Sequence, residues 1–186
     1  MACAAELEPV APGLFLWRAY DASIKTELFS TGLTIPSGTH LIDPIPLAPD
    51  AAGSLTDVAS VIVTNANHER AANDFADKFR VPIYSAASQS FPSGLTAVRL
   101  EGAAPGEIAV HSKSNGGVMV IGDALINFDP YGFTFLPSKY CTDHKLMRRS
   151  LAQLLDYSFE RMLFAHGNPI QSKACQRLES LLKSEH

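Results

Sequence analysis

Three apolar runs in this sequence end in side chains able to do chemistry. SVIVTNANHERAANDF (60–75) hands a buried-looking strand to a polar knot of Thr64, Asn65, Asn67, His68, Glu69 and Arg70. VMVIGD (118–123) ends in Asp123, and MLFAHG (162–167) ends in His166. Strands hold such groups rigidly while the following loop exposes them. Imidazoles and carboxylates in one place suit proton transfer or a divalent ion. A guanidinium offers a planar fork of donors to carboxylates, which makes Glu69 and Asp123 the expected partners of Arg70. The knot holds no nucleophile paired with a base. His166, before Gly167 at a strand end, is placed to face a cleft, whereas His40, His111 and His144 read as packing or surface histidines. Gly-Gly and Ser-Gly pairs read as turns, since none has the spacing of a phosphate-binding loop.

The elements that must position these groups follow from periodicity. LFLWRAY (14–20) and ELFSTGLTI (27–35) read as strands joined by a turn near Asp21–Ser23. HLID (40–43) is a short strand after a Pro-Ser-Gly turn, closed by Pro44 and Pro46. Residues 48–59 are Ala-rich and allow a short helix. SVIVT shows no alternation, as expected for a strand covered on both faces. In AANDFADKF, Ala72, Phe75, Ala76 and Phe79 recur at helical spacing, and VPIYS follows as a strand. LTAVRL, EIAVHS and GVMVIGD are further strands, the last two joined through the turn signal SNGG. From Thr142 the chain turns helical, with Leu146, Ser150, Leu151, Leu154 and Leu155 forming a stripe. RMLFAHG is a last strand, and a final helix runs from about Gln171 to Lys183. Hairpins interleaved with helices favour two mixed sheets packed face to face over a doubly wound parallel sheet.

Taken in order, from about Leu14 to Ile170, these segments resemble the metallo-β-lactamase superfamily. LIDP matches the family's Leu-Ile-Asp turn and so places Asp43. VIVTNANHERAA lies where the family carries Thr-His-x-His-x-Asp-His at a helix start. GAAPGEIAVHS resembles the later Gly-His-Thr-Pro-Gly segment, VMVIGD the Gly-Asp strand end, and MLFAHGNPI the closing His-Gly strand end. The resemblance implies an αββα sandwich and a site where histidines and aspartates hold one or two metals that activate a water. By position, Asn65 and Asn67 stand for the first two motif histidines. Glu69 stands for the motif aspartate, Arg70 for the last motif histidine and Ala103 for the later histidine. Only Asp123 and His166 keep a ligand identity. Asparagine amides are poor ligands for a borderline-soft metal, and a fixed positive charge at Arg70 opposes a cation. His68 occupies a spacer position, where it is expected to face solvent or cap the helix. The other reading recruits it toward Asp123 and His166, as a trio able to hold one ion.

The 186 residues form one expected domain, 1–186, with room for a real core. A 46% apolar and 18% charged composition is that of an ordinary globule, and no apolar run approaches a membrane span. The net charge of −4 and the lack of a basic face argue against nucleic acid. MACAAELEP lacks the marks of a signal peptide, so a cytoplasmic location is expected. Cys3, Cys141 and Cys175 read as free thiols. The aromatics of DPYGFTFLPSKY, among them Tyr131, Phe133, Phe135 and Tyr140, either line the site mouth or seal the core edge.

The ligand-pocket candidates are therefore Asp43, Asn65, Asn67, His68, Glu69, Arg70 and Tyr131. The candidate catalytic groups are His166, Asp123 and Glu69. The expected function is a non-hydrolytic binding or structural module with a degenerate metal site and no cofactor, a small-molecule partner and a homodimeric state being open. The alternative is a hydrolase using zinc or another divalent ion at a reduced site on Asp123 and His166. A third reading makes His166 the base of a metal-free enzyme in which Arg70 binds an anionic substrate.

Overall fold

The computed structural model describes residues 3–184. Its first sheet has six strands in sequence order: β1 (Glu8–Ala11), β2 (Leu14–Asp21), β3 (Thr26–Ile35), β4 (Gly38–Ile42), β5 (Val58–Ile62) and β6 (Ile83–Tyr84). The first four are antiparallel neighbours, and β4, β5 and β6 run parallel. The parallel pairs need crossovers, which α1 (Pro49–Gly53) and α2 (Ala72–Phe79) supply. The second sheet is formed by β7 (Leu95–Arg99), β8 (Ile108–Ser112), β9 (Val118–Ile121) and β12 (Arg161–Phe164), in the order β12-β9-β8-β7. It too is mixed, because β12 pairs parallel with β9. A separate hairpin of β10 (Leu125–Phe128) and β11 (Gly132–Phe135) follows β9. The helices α3 (His144–Leu151) and α4 (Ala174–Lys183) complete the order.

Side-chain alternation turns these strands into three apolar layers. Leu41 and Val61 face outward and pack with Trp17, Ala72 and Phe75 beneath α2. Their neighbours Ile42 and Ile62 face inward, joining Leu14 and Leu33 against Val118, Val120 and Leu163 of the second sheet. The outer face of that sheet buries Met119, Ile121, Met162 and Phe164 against Met147, Leu151 and Leu178 of the helices. Both faces of the central strands are thus covered, which is why SVIVT and VMVI read as unbroken apolar runs. The result is the four-layer αββα sandwich.

Helix ends carry ordinary signals. Asp143 caps α3, accepting the Leu146 amide at 2.9 Å, with Arg148 and Arg149 in the last turn. The buried stripe of this helix runs through Met147, Ser150 and Leu151 rather than Leu146, which is only half-buried. Arg80 ends α2 in the left-handed conformation.

The segment DPYGFTFLPSKY supplies the turn and the second strand of the β10–β11 hairpin, whose first strand is bridged at Asn127 to Gly167. Phe135 is buried in the outer core, and Phe133 packs on Phe164 with centroids 5.8 Å apart. Tyr131 sits at the tip, 64% exposed, with Phe128 edge-on to its ring. Phe133 and Phe135 thus cover the outer face of the second sheet, while Tyr131 stays largely exposed.

At one end the two sheets are tied by main-chain hydrogen bonds. Phe29 donates to Ala165 at 3.0 Å, Ile108 to Thr64 at 2.8 Å and Ala66 to Pro105 at 3.0 Å. This end collects the C-termini of β4, β5, β9 and β12 and the start of β8. Leu163 lies in the layer between the sheets, almost fully buried. Truncation there leaves a cavity that both sheets resist filling. Leu163→Ala is expected to lower unfolding stability by about 2–5 kcal/mol. A drop in the urea midpoint with an unchanged slope would measure it.

Candidate functional site

Five chain segments deliver the site. Asp43 follows β4, Thr64 and Asn65 follow β5, and His68 and Arg70 lie in the loop before α2. Glu107 opens β8, Asp123 follows β9 and His166 follows β12. Asp43 and Arg70 have positive φ values of 50° and 39°. Such backbone persists in non-glycine residues when its surroundings hold it in place. Around Asp43 those surroundings are explicit: its amide donates to Ile62 at 2.9 Å, and its carbonyl accepts from Ser30 Oγ at 2.7 Å.

The Asp43 carboxylate points into the sandwich. Oδ1 accepts the Thr64 amide at 2.8 Å, and Oδ2 accepts Thr64 Oγ1 at 2.5 Å. Oδ2 also lies 2.9 Å from His68 Nδ1. The opposite nitrogen, His68 Nε2, is 3.2 Å from Asp123 Oδ1, and His166 Nε2 reaches that same oxygen at 3.2 Å. Asn65 Nδ2 donates to Asp123 Oδ2 at 3.1 Å and to Glu107 Oε2 at 2.7 Å. Glu107 Oε1 in turn accepts the Ala124 amide at 3.1 Å. The chain of contacts runs from Asp43 through His68 to Asp123 and His166, and sideways through Asn65 to Glu107.

His68 corrects the sequence expectation. It does not face solvent: its side chain is 3% exposed, buried between two carboxylates. The reason is local. His68 N donates to Asn65 O at 3.1 Å and Asn67 N to Asn65 Oδ1 at 2.9 Å, a tight turn that swings the spacer position inward. Asn67 and Glu69 are thereby turned outward and exposed. Glu69 lines a groove of about 410 Å³ with Val63, Asn65, Ile83 and Pro105, beside the buried network rather than within it.

Arg70 also departs from expectation. Its Nη1 donates to the main-chain carbonyls of Phe29 at 2.7 Å and Asp43 at 3.1 Å, not to the carboxylates of Glu69 or Asp123. Nη2 is buried without a hydrogen-bond partner among the described residues.

Sequence reasoning missed Glu107. It sits in GAAPGEIAVHS, where the resemblance to the family puts the ligand position at Ala103, which is fully buried and apolar. A signal was present: a charged residue directly before the buried strand IAVHS. Gly122 is a second requirement. A Cβ there would lie 2.5 Å from Thr64 Oγ1 and 2.7 Å from Glu107 Oε1.

The electrostatics follow from burial and pairing. Burial alone would depress His68, but Asp43 and then Asp123 outweigh it and lift the imidazole to about 9. Burial would raise both aspartates. Hydrogen bonds from His166 and His68 instead hold Asp123 far below the usual carboxylate range. His68, Arg70 and Thr64 hold Asp43 down. Burial, and then the Asp123 charge, push Glu107 up to about 8. Burial holds His166 below its ordinary value. Near neutral pH the cluster therefore has two carboxylates, Asp43 and Asp123, balanced by two cations, His68 and Arg70. Glu107 and His166 are neutral.

Proton linkage gives the sign of the pH response. His68 has a folded value of about 9, above the ordinary 6.5, so its stabilisation is complete below 6.5 and is lost as pH rises toward 9. Glu107 keeps its proton to about 8 in the folded chain, against 4.5 ordinarily, so its ionisation also works against folding as pH rises. Asp43 and Asp123 act the other way, their stabilisation being present above 3.8 and lost on acidification. The unfolding temperature is expected to fall between about pH 7 and pH 9, more weakly in Glu107→Gln. A curve flat over that range in the unmodified protein would contradict the assigned charges. Gly122→Ala is expected to cost about 1–3 kcal/mol by overpacking this network, read by the same melts.

No protein-family model matches the sequence, and no curated protein matches it. Solved structures do. The DIM-1 metallo-β-lactamase superposes with a TM-score of 0.71 at 13% identity, over 98% of this chain and 100% of that one. The mono-zinc form of the FIM-1 metallo-β-lactamase from Pseudomonas aeruginosa gives 0.68 at 12% identity, over 98% and 96%. A metallo-β-lactamase from Erythrobacter litoralis gives 0.65 at 14%, over 95% and 91%. With its two mixed sheets, its outer helices and these near-complete superpositions, the chain has the metallo-β-lactamase fold.

Proposed function

We propose that this protein is a metallo-β-lactamase-fold module without a binuclear hydrolytic centre, acting by binding or as a structural unit. The residues present do not fit two ions. The Asn65 amide is committed to Glu107 and Asp123, Asn67 and Glu69 are exposed, and Ala103 has no ligand atom. Arg70 adds a fixed positive charge beside Asp43, which opposes a second cation.

The observation that carries the reading is closure of the polar end. Asp43, Thr64, His68, Asn65, Glu107, Asp123 and His166 satisfy one another, with side-chain exposures of only 3% at His68, 13% at Asp123 and 17% at His166. A hydrolase must admit both a water and a substrate to its reactive groups, and this packing favours neither. The adjoining groove beside Asn65 and Glu69 gives a small molecule a place to bind without reaching the buried groups.

A second reading keeps hydrolysis at a single-ion site on Asp123 and His166. It is favoured by the His166 ring nitrogen pointing at Asp123 Oδ1 from 3.2 Å. An ion held there would supply Lewis-acid polarisation. Around it, Asn65 would orient the Asp123 carboxylate through Oδ2.

Hydrolysis of a chromogenic β-lactam, an aryl lactone and bis(p-nitrophenyl) phosphate separates the two. With zinc, manganese or iron(II) added, rates are expected to stay at background and to be unchanged in His166→Ala. A turnover above background that disappears in both His166→Ala and Asp123→Ala would establish the hydrolytic reading instead.

A further inference from the structure

We propose that His68, from the spacer position of the loop, is the third ligand of a one-ion site with Asp123 and His166, and that Asp43 is its orienting partner. The inference rests on the single-ion reading of this site and supplies the ligand that reading lacks. It does not require the site to be hydrolytic.

The geometry is that of one face of a coordination polyhedron. One ligand atom from each of His68, Asp123 and His166 lies within 4.8 Å of the others. Both Nε2 atoms approach the same carboxylate oxygen, Asp123 Oδ1, at 3.2 Å. Tetrahedral bonds of about 2.0–2.2 Å to imidazole and carboxylate place neighbouring ligand atoms roughly 3.3–3.5 Å apart. The two histidine-to-aspartate edges are thus close to their metal-bound length. The ring-to-ring edge is the one that has to close, and the two rings are already 5.5 Å apart between centroids.

Two of the three ligands also have an orienting group behind them. Metal-bound histidines hold their other ring nitrogen on a carboxylate or carbonyl, which sets the tautomer and the ring direction. His68 Nδ1 meets Asp43 Oδ2 at 2.9 Å, and Asp43 is itself pinned by the amide and hydroxyl of Thr64. That leaves Nε2, on giving up its proton to an incoming ion, to offer the lone pair. Asn65 holds the second oxygen of Asp123, which leaves Oδ1 for the ion. Arg70 donates Nη1 to the carbonyls of Phe29 and Asp43 rather than to the shared oxygen. Two imidazoles and one carboxylate suit zinc or iron(II) over calcium or magnesium, which prefer all-oxygen shells.

The spacer residue is what makes this a new site. The resemblance to the superfamily assigns ligands to the places of Asn65, Asn67, Glu69 and Arg70, and none of these side chains provides one here. The inward turn brings in the residue between them.

The test uses the full chain, stripped with chelator and titrated with zinc or with cobalt(II), whose visible absorption reports tetrahedral nitrogen and oxygen ligation. One equivalent is expected to bind. Asp43→Asn, which keeps all three ligands, is expected to bind one equivalent about 10–100-fold more weakly. His68→Asn is expected to lose tight binding, with circular dichroism confirming that the variant is folded. Should His68→Asn not fold, zinc-edge anomalous scattering from wild-type crystals grown with zinc decides. A peak bonded to His68 Nε2, Asp123 and His166 is expected. One equivalent bound equally by His68→Asn, or a peak on Asp123 and His166 alone, overturns the role of His68 and leaves the single-ion reading intact. No ion bound by the wild-type chain overturns both.

Discussion

Two carboxylates, Asp43 and Asp123, are brought to one end of the sandwich from different sheets, and much of the surrounding structure answers their charge. Buried like charges repel strongly because little water is present to screen them. One cation, the His68 imidazolium, sits directly between them. A second, Arg70, lies alongside, anchored to main-chain carbonyls. Glu107 then keeps its proton, because a third buried charge would have no counterpart. The strained backbone of Asp43 and Arg70, the inward turn of the 65–68 loop and the missing side chain at Gly122 all serve this arrangement.

The arrangement connects fold to function through the strand ends. Asp43, Thr64, Asp123 and His166 each sit one or two residues past a strand whose two faces are both buried, so their positions are set by the packing of three apolar layers, and His68 and Arg70 reach them from the loop before α2. Main-chain hydrogen bonds between the sheets lock the end shut. A site built this way is held by both sheets and largely shielded from solvent, which strengthens its hydrogen bonds. An ion at the proposed one-ion site would have to displace the protons that the two imidazoles share with Asp123 Oδ1.

The fold was readable because hydrophobic periodicity and turn chemistry are local. LFLWRAY, ELFSTGLTI, SVIVT, VMVI and RMLF each announce a strand, and Ala72, Phe75 and Ala76 announce the helix that covers them. The β10–β11 hairpin was not read, because DPYGFTF carries aromatics that suit a strand, a core edge and a pocket equally. The site was partly legible. Asp43, Asn65, Asp123 and His166 stand at strand ends that the chain order brings together. Glu107 was hidden by the apolar strand it opens.

The residues alone determined which strands are doubly covered, which groups stand at their ends, and that neither Asn65, Asn67 nor Ala103 offers an imidazole. They could not decide which way the loop residues turn. Whether His68 faces water or the core depends on Asn65 folding the loop back on itself. It also depends on a carboxylate 25 residues earlier meeting another 55 residues later. That is a contest between desolvation and long-range pairing, and only the packed sandwich sets its terms. The same holds for Arg70, whose charge fixed its chemistry but whose partners became two carbonyl oxygens once the strand ends closed around it.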